Sequence, residues 1–368
     1  MLTIKASRDV LLKPLQSVTG IVERRHTLPI LSNVLIELKD NQLSFLATDL
    51  EIQIQTISNI DNGGESNALT LSAKKLQDIL RALPDNSDIM IEEKESRVTL
   101  KAGKSRFNLQ ALPAADFPRL NPSDTSTVRV EIPQKSLKQL FGLVQFAMAV
   151  QDIRYYLNGL LLSIHDSTLR VVATDGHRLS YAATTLGASA EKLDVILPRK
   201  TVTELSKLLE DSDNPVVVEI RENQVTFSFA SIVMVSKVVD GKFPDYTKVI
   251  PTNYTKLIKL SRLTLLQALQ RAAILSNEKI RGVRLVLTKD NLSIICTNNE
   301  QEEAEEDLPV DYGGEALDIG FNITYLLDVL THVDGNEVEI AFGDANSSAL
   351  MTISGNGDFK YVVMPMRI

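Results

Sequence analysis

LRVVATDGHRL, residues Leu169 to Leu179, is the stretch from which the fold can be read. Its apolar run from Leu169 to Ala173 predicts a short buried strand. Thr174-Asp175-Gly176 has the chemistry of a turn, since short polar side chains followed by glycine let the backbone reverse. The pattern occurs twice more, as LSFLATDLEI from Leu43 and as LSIICTNNEQ from Leu292. Thr48 to Thr174 is a step of 126 residues, and Thr174 to Thr297 one of 123. Expected helix starts at Ala73 (LSAKKLQDIL), Arg199 (LPRKTVTEL) and Asn322 (GFNITYLLDVL) give the same two steps. So do Asn33, Gly159 and Gly282, each leading an apolar run. Three unrelated landmarks in one register indicate a threefold internal repeat at the scale of a domain. Only the middle copy carries Gly176-His177-Arg178; the others read TDLE and TNNE. A feature present in one copy of three is not required by the shared fold.

A chain of 368 residues suits two or three domains, and the repeat selects three, with expected bounds 1–125, 126–254 and 255–368. Hydrophobic residues make up 44%, enough for several packed cores. No apolar run reaches the ~20 residues of a membrane helix, and MLTIKASRDV lacks a signal-peptide core. The single cysteine, Cys296, excludes an internal disulfide framework and a cysteine-based metal site, and its apolar neighbours predict a buried thiol. A cytoplasmic protein is expected. A net charge of −8 argues, taken alone, against a nucleic-acid partner.

In chain order, a strand over Leu2 to Lys5 is followed by Ser7 as an expected N-cap and by Leu11, Leu12, Leu15 and Val18 at helical spacing. Pro14 falls inside that pattern and predicts a kink or an early stop. Strands are expected near 34–38, 43–47 and 51–58, a turn at Asp61 to Gly64, and a helix from Ala73 to Leu83 ended by Pro84. Strands near 89–93, 98–102 and 106–110 close the first domain, and Pro118 to Thr127 reads as a linker. The second domain repeats this order, with helices over 135–149 and 199–209. Its KVVDGKFPDY matches ALPAADFPRL at the 126-residue step from Phe117 to Phe243. A linker over 247–256 leads to a third domain with helices over 262–275 and 323–331. Two helices and many short strands per domain predict an α+β fold, with helices packed on antiparallel sheets.

Counting Glu210 at the end of the 199–209 helix, the six expected helices hold twelve basic residues and five acidic ones, a balance of +7 that leaves −15 for the rest. If the helices share one face, that face is an electrostatic track for a polyanion. Catalytic patterns are weak. Gly103-Lys104-Ser105 ends like a phosphate-binding loop, but Val98 stands where its first glycine belongs. Asp175, His177 and Ser180 are the residue types of a hydrolase triad, yet their spacing does not assemble one. His26, His165, His177 and His332 lack metal-ligand spacing, and EQEEAEED, from Glu300 to Asp307, reads as a solvated or partner-facing charge run.

Several segments are highly specific: LPAADFP from Leu112, QDIRYYLNG from Gln151, ATDGHRL from Ala173, ILSNEKIRGVR from Ile274, NEQEEAEE from Asn299, and the final YVVMPMRI. Over its whole length the chain resembles the bacterial sliding-clamp family, the β subunits of DNA polymerase III. The resemblance implies three clamp domains per chain and a head-to-tail homodimer closing a six-domain ring, with helices lining the hole and sheets outside. It implies a processivity factor with no catalytic site and no cofactor, which encircles double-stranded DNA without sequence preference. Implied partners are the replicative polymerase, a separate ATP-driven clamp loader, and other polymerases and repair proteins that bind through short peptides of the form Gln-Leu-x-Leu-Phe; no membrane is involved.

Carried over residue by residue, the resemblance places a peptide pocket at Leu157, Thr174, Gly176, His177, Arg178, Leu179, Pro244, Lys248, Val249, Asn322, Tyr325, Asn346, Ser348, Val362, Val363, Met364, Pro365, Met366 and Arg367. Adaptable methionine walls suit several partners, Gly176 opens the backbone, and His177 and Arg178 are expected as polar handles at the edge. The segment Met364 to Arg367 is expected to be free to line a groove beside the turn. Lys248 and Asn346 depart from the family pattern, where arginine and an apolar residue are common. DNA contacts are implied at Arg25, Lys74, Gln151, Arg154, Tyr155, Tyr156, Arg199, Lys200 and Lys279. The dimer contact is implied between Lys104, Arg106, Phe107 and Leu109 on one side and Ile274, Leu275, Glu300, Glu302, Glu303 and Glu306 on the other. Two other classes compete with the clamp: a nuclease using Asp175 and His177, and a passive repeat scaffold.

Overall fold

The computed structural model describes residues 3–23, 28–60, 66–94, 97–121 and 128–368. The expected turn at Asp61 to Gly64, and Arg25 and His26, lie outside them. The first repeat comprises β1 (Thr3–Ser7), α1 (Arg8–Thr19), β2 (Asn33–Lys39), β3 (Gln42–Thr48), β4 (Ile52–Asn59), β5 (Asn67–Ser72), α2 (Ala73–Ala82), β6 (Asp88–Lys94), β7 (Arg97–Ala102) and β8 (Ser105–Leu112). The second comprises β9 (Val128–Pro133), α3 (Gln134–Val144), β10 (Gly159–Thr174), β11 (Arg178–Pro198), α4 (Arg199–Leu208), β12 (Pro215–Ile220), β13 (Gln224–Phe229) and β14 (Ile232–Lys237). The third comprises β15 (Lys256–Ser261), α5 (Arg262–Ala272), β16 (Gly282–Thr288), β17 (Asn291–Thr297), β18 (Glu303–Pro309), β19 (Leu317–Asn322), α6 (Ile323–His332), β20 (Glu337–Phe342), β21 (Ala349–Ile353) and β22 (Asn356–Val363).

The repeat is structural as well as sequential. In each copy the strand before the first helix pairs antiparallel with the strand after the second: β1 with β6, β9 with β12, β15 with β20. The first N–H of each leading helix, which has no partner within the helix, donates to a carbonyl beyond the second helix. These bonds are Arg8 to Ser87 (2.8 Å), Gln134 to Asn214 (2.9 Å) and Arg262 to Asn336 (2.9 Å). The α+β architecture with helices on antiparallel sheets is borne out.

The chain forms two compact units whose division cuts through the second repeat. Residues 1–134 and 207–238 carry one twelve-stranded sheet, β1-β6-β7-β8-β5-β2-β3-β4-β14-β13-β12-β9. Residues 135–206 and 239–368 carry a six-stranded sheet, β10-β11-β22-β21-β20-β15, and a four-stranded one, β18-β17-β16-β19. Backbone ladders join consecutive repeats, β4 to β14 and β11 to β22, so strand pairing does not stop where the repeat ends.

Several local expectations are corrected. Leu169–Ala173 is not a short strand but the end of the 16-residue β10, whose register against β11 shifts around Asp166. Pro14 does not stop α1, which continues to Thr19; Leu11, Leu12, Leu15 and Val18 are all buried, so packing on both sides of the proline outweighs one lost backbone bond. Ser7 sits at the N-cap position with no side-chain cap bond. α3 and α5 end earlier than expected, at Val144 and Ala272, each followed by a 3₁₀ turn (Gln145–Ala147 and Ala273–Leu275). The third repeat's second helix starts at Ile323, with Asn322 as its N-cap accepting from Thr324 N at 2.9 Å. The helix step is therefore 124 rather than 123 residues, one residue having entered earlier in that repeat.

Candidate peptide-binding site and nucleic-acid contacts

The turn after β10 is held by its own side chains. Thr174 Oγ1 donates to Arg178 O (2.6 Å) and accepts from Gly176 N (3.0 Å), while Asp175 Oδ1 accepts from His177 N (2.9 Å) and Arg178 N (3.0 Å). The first repeat makes the same four bonds. Thr48 Oγ1 links Ile52 O (2.8 Å) and Leu50 N (3.1 Å), and Asp49 Oδ1 links Glu51 N (2.9 Å) and Ile52 N (2.7 Å). Thr-Asp is thus a turn-forming device. In the third repeat Asn298 Oδ1 accepts from Glu300 N and Glu302 N, in a turn one residue longer. This is the extra residue that moves the helix step to 124.

Gly176 has φ +89°, but Leu50 holds the corresponding place at φ +76°, so the left-handed backbone alone does not explain the glycine. The missing Cβ leaves room for Arg154. A Cβ at Gly176 would stand 3.0 Å from both terminal nitrogens of Arg154. That guanidinium chelates Asp152 (Nε–Oδ1 3.0 Å, Nη2–Oδ2 2.8 Å) and donates to Asp175 O (3.2 Å). The bonds from Arg154 hold the Asp152 carboxyl at about 2, well below its ordinary value. Gly176 itself is exposed, with the Arg154 guanidinium beside it.

Beneath the turn lies a core cluster of Leu161, Val172, Leu179, Ile196, Phe243 and Val362, with Tyr156, Tyr246, Ile250 and Leu350 half-buried against it. The first repeat has the same nucleus one step away, Leu35, Leu46 and Phe117. Three neighbouring positions differ. Gln53 occupies the place of Leu179, and its amide accepts from Leu120 N (2.8 Å) and donates to Leu120 O (3.3 Å). Thr70 occupies the place of Ile196, and Asn33 that of Gly159; Asn33 Nδ2 donates to Thr70 Oγ1 (3.1 Å). The second repeat has exchanged three hydrogen-bonding side chains for Leu179, Ile196 and Gly159. Buried apolar side chains replace the polar seat, and Tyr246, at the place of Leu120, packs against them. Ile196 and Ile250 were missed from the sequence; aligning the repeats at the 126-residue step sets them against the polar Thr70 and Asp124, whereas Phe243 and Tyr246 answer to Phe117 and Leu120 and carry no such signal.

β11 pairs with β22 with Arg178 opposite Val363 and Leu179 opposite Val362, and β21 pairs Ala349 with Val363. This brings Thr174 to Leu179, Ser348 and Val362 to Met364 together. Met364 N donates to His177 O (2.9 Å), and its side chain is 47% exposed. Val249, Pro244, His177, Asn346 and Arg367 are exposed, Pro365 and Met366 half-buried, and Leu157 and Val363 buried. Lys248 is paired with Asp245 at 3.0 Å, and Ser348 O accepts from Tyr254 at 2.8 Å. The last residues are anchored at two points: Met366 N donates to Gly320 O (2.8 Å), and Ile368 lies over Gly320 and Gly282, where a Cβ would collide with it.

Arg178 is not a handle at the edge. Its guanidinium points inward, its side chain only 9% exposed, donating to Asp175 (3.0 Å), Asp328 (2.6 Å) and Phe146 O (2.7 Å). It lies 4.4 Å from the Tyr325 ring centroid and 5.6 Å from that of Phe146. Nor do the triad residue types converge: Ser180 is buried with its hydroxyl donating to Leu143 O (2.7 Å), and Asp175 is engaged with the turn and Arg178. Gly103-Lys104 forms the turn between β7 and β8, so a strand rather than a helix follows it.

Of the expected DNA contacts, Arg25 is outside the described residues. Gln151, Arg154, Tyr155 and Tyr156 share one segment. Tyr155 is 57% exposed, whereas Tyr156 packs on the core cluster, with the two rings edge to face at 6.0 Å. The exposed ring is therefore Tyr155. Lys74 is exposed, 3.7 Å from Asp78; Lys279 is exposed; Lys200 is half-buried; Arg199 donates to Met148 O (3.0 Å). Some of the helix charge is spent locally. Arg8 donates to Leu80 O (2.7 Å) and Arg262 to Leu330 O (2.7 Å), each capping the second helix of its repeat, and Arg271 is bound to Glu306.

Of the expected interface residues, Lys104 and Arg106 are exposed, Phe107 and Leu109 half-buried. β8 pairs with β7 from Ser105 to Gln110 but with β5 only at Ala111 and Leu112. Ile274 is 78% exposed and Leu275 half-buried; Glu300, Glu302 and Glu303 are exposed. Glu306 is chelated by Arg271 (2.7 and 2.6 Å), which lowers its carboxyl pKa. β18 is the last strand of its sheet, paired only with β17 among the described residues.

Family models for the DNA polymerase III β subunit match the chain three times over: the N-terminal domain at 2–121, the central domain at 131–245 and the C-terminal domain at 247–367. Among curated proteins, the beta sliding clamp of Pseudomonas putida is 46% identical over 364 residues, and that of Escherichia coli 44% identical over 361, each alignment covering 98% of both chains. The crystal structure of the DNA polymerase III subunit beta from Pseudomonas aeruginosa superposes with a TM-score of 0.97 at 44% identity, covering 100% of both chains. The chain belongs to the DNA polymerase III β-subunit family, the bacterial sliding clamps.

Proposed function

We propose that this protein is the sliding clamp of a replication machinery: a cytoplasmic, non-catalytic homodimeric ring of six clamp domains, bounded in each chain at 1–125, 126–254 and 255–368. The ring encircles double-stranded DNA and tethers the replicative polymerase and other partners to it. The observation that carries this reading is the pattern of strand edges. Gln53 in β4 pairs with Val235 in β14, and Leu179 in β11 pairs with Val362 in β22. The hairpin registers make Glu303 the third-repeat counterpart of Gln53 and Leu179, and Asn108 the first-repeat counterpart of Val235 and Val362. β18 and β8 are therefore the third such pair, left open among the described residues. A second copy closes it, with Glu303 opposite Asn108, Ala304 opposite Phe107 and Glu305 opposite Arg106. An open edge invites such pairing. Two identical heterologous contacts close a dimer rather than an open filament. Glu300, Glu302, Glu303 and Glu305 are the carboxylates available to Lys104 and Arg106, since Arg271 engages Glu306.

The helix cations form the inner face, with DNA held through phosphates and no base readout. The Thr174–Leu179 turn, Val362 to Arg367 and the Leu179–Ile196–Phe243 floor form the docking site for short peptides with Leu and Phe anchors, through which the polymerase and clamp loader bind. Retention on DNA tests the reading. Protein loaded by a clamp loader onto nicked circular DNA should stay bound through gel filtration and be lost when the circle is cut. Equal retention on linear DNA with unblocked ends overturns it.

A further inference from the structure

The position of Arg178 in the first repeat is taken by Ile52, 1% exposed, so the fold itself is satisfied by an apolar side chain there. Burying a guanidinium in its place costs desolvation that only good partners offset. The partners come from three elements: Asp175 from the turn, the Phe146 carbonyl from the segment after α3, and Asp328 from α6, with Tyr325 of α6 packed on the guanidinium face. Arg178 opens β11, opposite Val363, and the adjacent His177 carbonyl receives Met364 N. A chain of contacts thus runs from Asp328 through Arg178 to the strand end that seats Met364. Asp328 lies among no pocket residues expected from the sequence.

We propose that Asp328 is a positioning residue for peptide recognition: by fixing Arg178 it holds the Thr174–Leu179 turn against α6, so that Leu179, Tyr325 and Met364 present one preformed groove. This rests on the peptide-docking reading above. A residue that sets the fraction of grooves ready to bind acts on the association rate, whereas one that touches the peptide acts on its escape. The experiment uses the full-length protein, immobilised, with a synthetic Gln-Leu-Ala-Leu-Phe pentapeptide. Asp328→Ala is expected to weaken binding about tenfold, as loss of one charge-assisted bond implies, with the loss in association rate and the dissociation rate unchanged. Asp328→Asn, which keeps the shape but not the charge, should lie between it and wild type, and Asp328→Glu should restore most of the affinity. Sedimentation should show the same oligomeric state in all. Met364→Ala serves as the pocket control. If Met364→Ala weakens the peptide while Asp328→Ala and Asp328→Asn do not, the positioning role is wrong and the pocket stands. If none of the three weakens it, both fall. A loss confined to the dissociation rate would also overturn positioning, in favour of direct contact.

Discussion

Ile274→Ala is the sharpest test of the open-edge assembly. Ile274 is 78% exposed in the single chain, and the proposed second copy would cover it. Truncation to alanine removes three carbons worth about 0.8 kcal/mol each when buried. Scaled by the exposed fraction, the loss is about 2 kcal/mol per contact. A head-to-tail dimer makes the contact twice, so the dimer loses about 4 kcal/mol, and its dissociation constant rises roughly a thousandfold at about 1.4 kcal/mol per decade. A single-contact chain of subunits would lose only half as much, so the size of the effect reports closure as well as contact. Sedimentation velocity over a concentration series reads it directly. Phe107→Ala, on the other side of the contact, should act in the same direction. A wild type that is monomeric at micromolar concentration, or a variant whose dissociation constant moves less than about threefold, would refute the assembly.

Leu179→Gln installs the side chain that Gln53 carries in the first repeat. It should abolish measurable pentapeptide binding in a calorimetric titration while leaving the dimer intact; retained affinity would misplace the pocket floor. Cys296 is buried and its thiol is pushed up to about 11 by desolvation, so almost no thiolate exists at pH 8. A thiol reagent should therefore label it only after unfolding, and stoichiometric labelling of the native protein would contradict the packing of β17. DNA binding by the unloaded protein should be weak, indifferent to sequence and steeply salt-dependent, with log affinity falling by about 0.9 per phosphate contact against log salt. A filter-binding series in which affinity follows sequence rather than salt would count against it.

The threefold repeat, the strand-and-helix order within each copy and the place where the copies differ are all legible in the sequence. Apolar periodicity, turn residues and register are local properties that survive in a linear string. The Thr-Asp turn shows this well: the same four hydrogen bonds form in two repeats because threonine and aspartate reach their own neighbours. The rest depends on residues far apart in the chain. Arg178 reads as a surface handle until Asp328, 150 positions away, and Phe146 are seen to enclose it. Pro14 reads as a helix breaker until burial on both sides holds the helix through it. Arg8, Arg262 and Arg271 read as free positive charge, whereas two cap helices and one is chelated by Glu306. Burial and pairing of charge are set by what the fold brings alongside, and no local pattern encodes that.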